Sequence, residues 1–399
     1  MKRFAFLPIL LLLSAGFVFS YDFGLFLDQE IEGQNKLFTY TPSFVPWFSW
    51  NGGRGLSVYL SGNFSLEYDN SDDGIDENDG WRKPAILPEL SWFALSYRSG
   101  RGYLIEAGRL PYTDALGVTA SGLFDGLRFE TSLAQGSISA GLFYTGFLYK
   151  ETAKIVMTES DSVDYVKPWD FDNFGNYFAS RRLLAGFRWD MPLLEFHTLS
   201  FEVLAQLDLN GRDEKLHSQY GEAQAEFFTR NNLGITLGAV FETVESGEGD
   251  FGLALGALAG LRTEVPGSLN DSLKLTLKFC SGPWNDTFTA FTPLTSFTQG
   301  MVFPDTFSGI GLFSADYSVR ILPSLFAEGI VSYFVKTFSD SVSDGNLYGG
   351  EIWASIAWQP FDDLRASLGA GVFFPGLGNA YPSGTDPMWK ISAGLSLSL

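Results

Sequence analysis

Residues suited to covalent or metal chemistry are scarce in this chain of 399 residues. It contains one cysteine, Cys280, and two histidines, His197 and His217. One cysteine cannot form an intramolecular disulfide, and these three residues lack the ligand spacing of a zinc site. His217 has Asp213 and Ser218 beside it, but neighbours in sequence do not make a catalytic triad. We therefore predict a protein that is not an enzyme and needs no cofactor.

An acidic segment from Asp69 to Gly80 resembles a calcium-binding loop at first sight. Its carboxylates alternate before Gly74, but Gly80 stands at the twelfth position, where such loops carry a bidentate glutamate. We interpret the segment as a solvated acidic loop. Weak adventitious binding of a divalent cation is the alternative.

The composition excludes two classes of protein. The chain has 46 acidic against 26 basic residues and a net charge of -20, so a nucleic-acid partner is not expected. Hydrophobic residues make up 45% of the sequence and charged residues 18%, which is too apolar for intrinsic disorder.

The first residues have the three parts of a secretory signal peptide. Lys2 and Arg3 precede an apolar stretch from Phe4 to Leu13, and Ser20 is the expected cleavage site. We assign residues 1–20 to the signal peptide and 21–399 to one folded domain. No later window offers the roughly 18 uninterrupted apolar residues of a transmembrane helix.

The remaining apolar residues recur with a period of two, which indicates strands with one apolar face. The pattern is clearest in the segments 56–68, 199–209 and 389–399. In the last of these, Trp389, Ile391 and Leu395 alternate with Lys390 and small polar residues. Similar segments along the chain give about eighteen strands, with sixteen the closest competing number.

The connections between these segments alternate between short and long. Short ones include 51–54, 99–100, 134–136, 322–323 and 359–363. Long ones include 69–83, 150–179, 281–306 and 375–387. If the first strand runs outward, every long connection falls on the extracellular side and both termini lie in the periplasm. A lipid-embedded sheet must also close on itself, because no unpaired edge is tolerated there.

In this pattern of alternating strands and connections, the sequence resembles bacterial outer-membrane β-barrels of the porin kind. The resemblance covers the whole of 21–399, although Leu399 ends the chain where an aromatic residue is usual. It implies an all-β fold, a transmembrane antiparallel up-and-down barrel embedded in outer-membrane lipid. Porins commonly form a homo-trimer, although no residue here specifies one. The competing fold is a secreted soluble β protein whose apolar faces pack together.

The polar faces of the strands would line the lumen and carry charges of both signs. A constriction would involve an inward-folded connection between the fifth and sixth strands, from Gly108 to Gly122. Asp114 in that connection could face Arg128, Arg182 and Arg188 across the pore; the alternative is an external turn that Asp114 caps. The candidate constriction residues are Asp114, Arg128, Glu130, Arg182, Arg188, Glu202, Asp208, Lys274 and Lys278.

The connection 281–306 is more aromatic than an exposed loop should be. It could form an inward platform for sugars or apolar solutes, or it could pack against the barrel rim. The residues concerned are Trp284, Phe288, Phe291, Phe297 and Phe303.

The function predicted from these observations is passive diffusion of small hydrophilic solutes through a water-filled channel. Acidic residues in the outer connections, including Glu245, Glu248 and Asp250, would give a modest preference for cations. Two alternatives stay open: a barrel that only supports ligand-binding or adhesive surface loops, and a channel for apolar or sugar solutes that uses the aromatic connection.

Overall fold

The alternating segments form eighteen antiparallel strands in the computed structural model, and each pairs with its neighbours in the chain. The strands are β1 Ser20–Gln34, β2 Leu37–Gly53, β3 Leu56–Asp69, β4 Ala85–Arg98, β5 Tyr103–Thr113, β6 Ser121–Leu133, β7 Gly136–Tyr144, β8 Arg182–Leu194, β9 His197–Asp208, β10 Lys215–Phe228, β11 Leu233–Gly247, β12 Asp250–Val265, β13 Asp271–Cys280, β14 Ile310–Leu322, β15 Leu325–Lys336, β16 Leu347–Phe361, β17 Leu364–Phe374 and β18 Met388–Ser398. The sheet closes where β1 pairs with β18, from Phe26 opposite Ser398 to Gln34 opposite Lys390. The predicted closed antiparallel barrel of eighteen strands is confirmed, and the alternative of sixteen is wrong.

The structure describes residues 20–35, 37–70, 85–165, 167, 174–194, 197–211, 214–229, 232–247, 250–265, 267, 270–284, 288–338 and 345–399. Three sequence predictions lie outside these ranges: the signal peptide up to residue 19, most of the acidic segment ending at Gly80, and the position of Glu248.

The strand β9 shows how each strand divides between two environments. Phe201, Val203 and Leu207 point outward and are exposed, while Glu202 and Asp208 point inward and are buried. Exposed large apolar side chains recur on the outer surface of the other strands. An outer surface of this kind fits a lipid environment, where each unsatisfied backbone group would cost several kcal/mol and pairing around a closed sheet satisfies most of them.

The long connections lie at one end of the barrel, where the short β1–β2 and β11–β12 connections also lie. The β2–β3, β4–β5, β6–β7 and β14–β15 turns are short and lie at the opposite end, with the start of β1 and the end of β18. The β5–β6, β7–β8, β13–β14 and β17–β18 connections lie at the end that carries the long connections. The β7–β8 connection contains two short helices, α1 Lys150–Ala153 and α2 Glu159–Tyr165. No helix among the described residues is long and apolar enough to cross a membrane.

Candidate channel constriction

The β5–β6 connection, residues 114–120, folds into the barrel and is organised by Asp114. The Asp114 carboxylate accepts hydrogen bonds from the backbone N–H groups of Leu116 at 3.1 Å, Val118 at 3.2 Å, Thr119 at 3.0 Å and Ala120 at 2.6 Å. Asp114 is only 2% exposed. A short acidic side chain that binds the backbone of its own turn is a common way to fix a tight loop.

The three arginines predicted to face Asp114 across the pore each have another carboxylate as ion-pair partner. Arg128 pairs with Glu106 and Glu130. Arg182 pairs with Asp161 and Asp208, and Arg188 with Asp190. The physical reason is that four backbone N–H groups already satisfy the Asp114 carboxylate. Both predicted possibilities hold in part: the loop folds inward, and Asp114 caps it.

Two glutamates on the barrel wall hold the 114–120 loop from the opposite side. A Glu202 carboxylate oxygen accepts from the Ala115 N–H at 2.7 Å, and the other accepts from the Tyr112 hydroxyl. Glu222 accepts from the Thr119 hydroxyl at 2.6 Å and from the Leu116 N–H at 3.3 Å. These four hydrogen bonds fix the loop against β9 and β10.

A glycine on β11 provides the space for this contact. The side chain of Leu116 packs over Gly238, and a Cβ at position 238 would lie 2.3 Å from the Leu116 Cδ2 atom. A larger residue at this position would force the Leu116 side chain to move.

The β13–β14 connection, residues 281–309, is held inside the barrel in the same way. Glu351 on β16 accepts from three successive N–H groups, of Met301 at 2.8 Å, Val302 at 2.9 Å and Phe303 at 2.7 Å. Glu242 on β11 accepts from the Thr292 N–H at 2.8 Å. Carboxylates on the wall therefore anchor this connection at two separated points.

The described parts of three connections meet across the lumen through backbone hydrogen bonds. The Leu294 N–H donates to the Thr119 carbonyl at 2.7 Å, and the Val156 N–H donates to the Leu294 carbonyl at 3.0 Å. The Ser296 N–H donates to the Lys154 carbonyl at 2.7 Å. The 114–120 loop, the β7–β8 connection and the β13–β14 connection thus form one cross-linked unit that narrows the barrel.

The β7–β8 connection is fixed to the wall by a buried ion cluster. The Arg182 side chain is fully buried and pairs with Asp161 of α2, at 2.6 Å, and with Asp208 of β9. The Asn210 side-chain amide also donates to Asp161, at 2.9 Å. Arg182 and Asp208, which the sequence placed among constriction residues, therefore anchor a loop at the barrel end.

The predicted aromatic residues of 281–306 divide into two groups. Phe291 and Phe303 are fully buried, and the Phe303 ring packs on Phe334 and Phe373 with centroid distances of 4.5 and 4.7 Å. Trp284 is exposed, and its indole N–H donates to the Thr337 carbonyl at 3.1 Å. Packing against the wall thus accounts for the two buried rings.

Phe288 and Phe297 lie in less enclosed positions. Phe288 packs on the Trp284 ring, with ring centroids 5.8 Å apart. Phe297 is half-buried and lines a small cavity between the 114–120 loop and the β7–β8 connection.

The charges that remain open to the lumen lie on the wall beside and below the loops. A cavity of about 230 Å³ is lined by Tyr112, Arg128, Glu130, Arg188 and Asp190. A larger cavity of about 980 Å³ lies at the end of the barrel with the short turns. It is lined by residues that include Arg262, Glu264, Arg320, Glu328 and Arg365.

Lys274 and Lys278, the last two predicted constriction residues, lie on β13. The Lys278 ammonium donates to the Gln299 side chain at 3.1 Å, which brings it to the β13–β14 connection. Lys274 stands opposite Asp316 in the strand register. Both predicted lysines therefore belong to the inner face of the barrel wall.

The side chains of Cys280 and the two histidines form hydrogen bonds with backbone groups. The Cys280 thiol lies 3.3 Å from both the N–H and the carbonyl oxygen of Ile310 and is fully buried. The His197 Nδ1 accepts from the Phe228 N–H at 3.3 Å, and the His217 Nδ1 from the Asp208 N–H at 3.1 Å.

Sequence reasoning missed Glu222, Glu242 and Glu351 as loop anchors. One signal was available: Glu202 and Glu222 stand directly opposite each other on adjacent strands. Like charges in such a pair repel, so donors from elsewhere must stabilise them. The inward loop supplies these donors.

No protein-family model matches the chain, and no curated protein matches its sequence. Solved structures of Pseudomonas aeruginosa proteins do match its structure, and one of these proteins is the outer membrane protein OpdK. The structure of OpdK with vanillate aligns with a TM-score of 0.65 and 12% identity, covering 95% of this chain and 98% of that one. OccK5 (OpdH) aligns with a TM-score of 0.60 and 10% identity over 95% and 98%, and OccK3 (OpdO) with 0.61 and 9% over 95% and 96%. At this identity the likeness shows a shared fold, that of a porin-like outer-membrane β-barrel.

Proposed function

We propose that this protein is an outer-membrane channel for passive diffusion of small hydrophilic solutes. The observation that carries the proposal is a closed barrel with an apolar exterior, whose inner wall keeps charges of both signs open beside inward-folded loops. Such an interior holds water and admits polar solutes, while the loops set the size limit. One of the similar solved structures is that of the outer membrane protein OpdK, which supports the same function and gives no support to an enzyme.

Selectivity in this proposal comes from two places. At the constriction, Arg128 and Arg188 share a cavity with Glu130, Asp190 and Glu202, so acidic side chains outnumber basic ones there. The net charge of the whole chain is -20. A modest preference for cations would therefore arise at the constriction as well as at the acidic mouth.

The orientation follows from the two ends of the barrel. We infer that the short turns and both termini face the periplasm and that the loop-bearing end faces outward, as in porins. A homo-trimer is the proposed assembly, and the mass of the native complex in a mild detergent tests it.

The test of the channel is single-channel conductance of the refolded protein in a planar bilayer, with the reversal potential measured under a salt gradient. Stable steps with a weakly cation-selective reversal are expected. The variant Asp114→Ala should raise the conductance and its noise, because the 114–120 loop loses four hydrogen bonds. Glu130→Ala, which removes a lumen charge without a loop contact, serves as the control and should change the reversal potential only.

Silence from a folded barrel would contradict the proposal. The result would favour the alternative in which the barrel supports ligand-binding surface loops.

A further inference from the structure

The wall of the barrel has one short seam, between β4 and β5. Only six residue pairs join these strands, from Phe93 opposite Arg109 to Arg98 opposite Leu104. By contrast, eight residue pairs join β7 to β8 and eight join β13 to β14. Beyond the six pairs, Ala85 to Trp92 of β4 have no partner on β5, and Leu110 to Thr113 have none on β4.

The pairing between β4 and β5 ends within the depth of the membrane. Six pairs cover roughly 20 Å along a strand, and less along the barrel axis because the strands are tilted. The apolar band of an outer-membrane barrel is about 25 Å tall. The unpaired edges of β4 and β5 therefore start inside the lipid-facing band, in its extracellular half.

Local sequence accounts for the separation of the two strands. Leu90 and Trp92 pair with Gly62 and Ser61, which leaves Ser91 as an extra residue in β4. Such a bulge bends its strand and increases its twist. On β5, Gly108 has φ +130°, and a Cβ there would lie 2.2 Å from the Phe93 carbonyl oxygen, so only glycine fits at this point of closest approach.

The unpaired edges are closed by side chains and by the β7–β8 connection. Arg109 donates to the carbonyl oxygens of Leu90 and Phe147, the latter at 2.9 Å, and forms an ion pair with Asp125 at 2.9 Å. The Tyr177 hydroxyl donates to the Pro88 carbonyl at 2.7 Å. These contacts replace strand pairing, since unpaired edges are tolerated at membrane depth only where protein covers them.

The inner face of the seam is dry and apolar, unlike the charged wall elsewhere. Leu110, Phe124 and Phe143 are each 1% exposed and belong to one cluster with Ala94 and Leu148. On the outer side of the covering segment, the Phe147 and Phe174 rings are exposed. Apolar surface thus lies on both sides of the seam, inside the barrel and at its outer rim, with the Arg109–Asp125 pair between them.

We propose that the β4–β5 seam is a lateral portal through which small apolar or amphipathic molecules exchange between the lumen and the outer leaflet. Displacement of the covering segment around Phe147 and Tyr177 opens it, and the Arg109–Asp125 pair holds it closed. This activity goes beyond axial diffusion and does not depend on it.

The experiment uses phospholipids that carry a photoactivatable diazirine on the acyl chain, with labelled residues identified by mass spectrometry. In the wild type, label should reach Leu110 and Phe124 behind the seam as well as the outward Ile105 and Leu127. The double variant Arg109→Met/Asp125→Asn removes the closing pair and should raise labelling behind the seam roughly tenfold.

The matched control is the single variant Glu106→Gln, which weakens the Glu106–Arg128 ion pair between the same two strands on the lumen side and leaves the Arg128 hydrogen bond to the Pro111 carbonyl in place. It should leave labelling behind the seam at the wild-type level. Tyr177→Phe, which keeps the ring and removes the hydroxyl that donates to Pro88, provides a milder variant and should give an intermediate increase.

Label confined to Ile105 and Leu127 in the wild type and all variants would overturn the portal. Equal increases in the double variant and its control would overturn it as well. Conductance is measured in parallel, so a silent barrel with label behind the seam would reject the axial channel and retain the portal.

Discussion

The barrel holds its inner loops by opposite chemistry in two regions. On β9, β10 and β11, carboxylates of Glu202, Glu222 and Glu242 point inward from a fully paired wall and accept loop N–H groups. At the β4–β5 seam, the guanidinium of Arg109 donates to a loop carbonyl across an incomplete wall. The first arrangement narrows a lumen, and the second completes the wall itself.

This difference shows that the role of a buried charged side chain in this barrel depends on the backbone groups with which it forms hydrogen bonds. The sign of its charge alone does not predict that role. Glu202, Glu222 and Glu242 on the paired wall are buried, and loop N–H groups and two hydroxyls donate to them, so their hydrogen bonds act on the loops rather than on solutes in the lumen. Arg109 likewise has little exposed charge, since its side chain is 5% exposed and its ion-pair partner Asp125 is 19% exposed.

The largest predicted loss of stability is at Arg182, whose ion pairs fix the β7–β8 connection to the paired wall at β9. Arg182→Met would leave Asp161 and Asp208 buried without their cation, which should lower the free energy of unfolding by about 3–5 kcal/mol. Arg109→Met should lower it less, because its partner Asp125 keeps some contact with solvent. Urea unfolding of the refolded protein in micelles, followed by tryptophan fluorescence, measures both. An equal or larger loss for Arg109→Met would reverse this ranking of the two regions.

A second prediction concerns the anchor Glu222. Glu222→Gln weakens two hydrogen bonds to the 114–120 loop, which should cost about 1–3 kcal/mol of local stability and increase the channel conductance. Glu226→Gln is the matched control, because Glu226 points inward from the same strand and contacts Thr198 of β9 rather than the loop. Single-channel recordings measure both variants. The same conductance in the two would show that Glu222 does not hold the loop.

The smallest predicted effect is a pH dependence at Asp305 in the β13–β14 connection. Burial raises the pKa of the Asp305 carboxyl, and the nearby Lys336 opposes the shift. The folded state therefore binds a proton more readily than the unfolded state, so this group stabilises the connection at low pH and loses that contribution as the pH rises through the raised pKa. Channel noise should fall slightly on mild acidification, and Asp305→Asn should remove that response. A response that persists in Asp305→Asn would assign it to another group.

The sequence predicted the eighteen strands because period-two alternation reports directly on which residues meet lipid. It also predicted which connections are long, since turn residues and polar runs are local features. Alternation places Glu202 and Glu222 on the inner face, but it does not tell which loop will reach them. Register and loop position depend on the closed barrel, so the partners of Asp114 and the anchoring role of Glu351 required the structure.

The same limit explains the aromatic connection. Composition distinguishes an unusual loop but does not distinguish a ring that faces solvent from one that fills a gap. Phe303 packs on Phe334 and Phe373 because β15 and β17 bring those rings together from distant parts of the sequence. The seam is non-local as well, although Gly108 and Ser91 mark it once the register is known.

The hydrogen bonds that join Thr119, Leu294 and Val156 also have a mechanical meaning. They connect the β5–β6, β7–β8 and β13–β14 hairpins to one another across the lumen and so cross-link distant parts of the wall. A hollow barrel of eighteen strands would flatten easily under lateral pressure from the bilayer. With these hydrogen bonds in place, we expect the cross-section of the barrel to stay round as membrane tension changes.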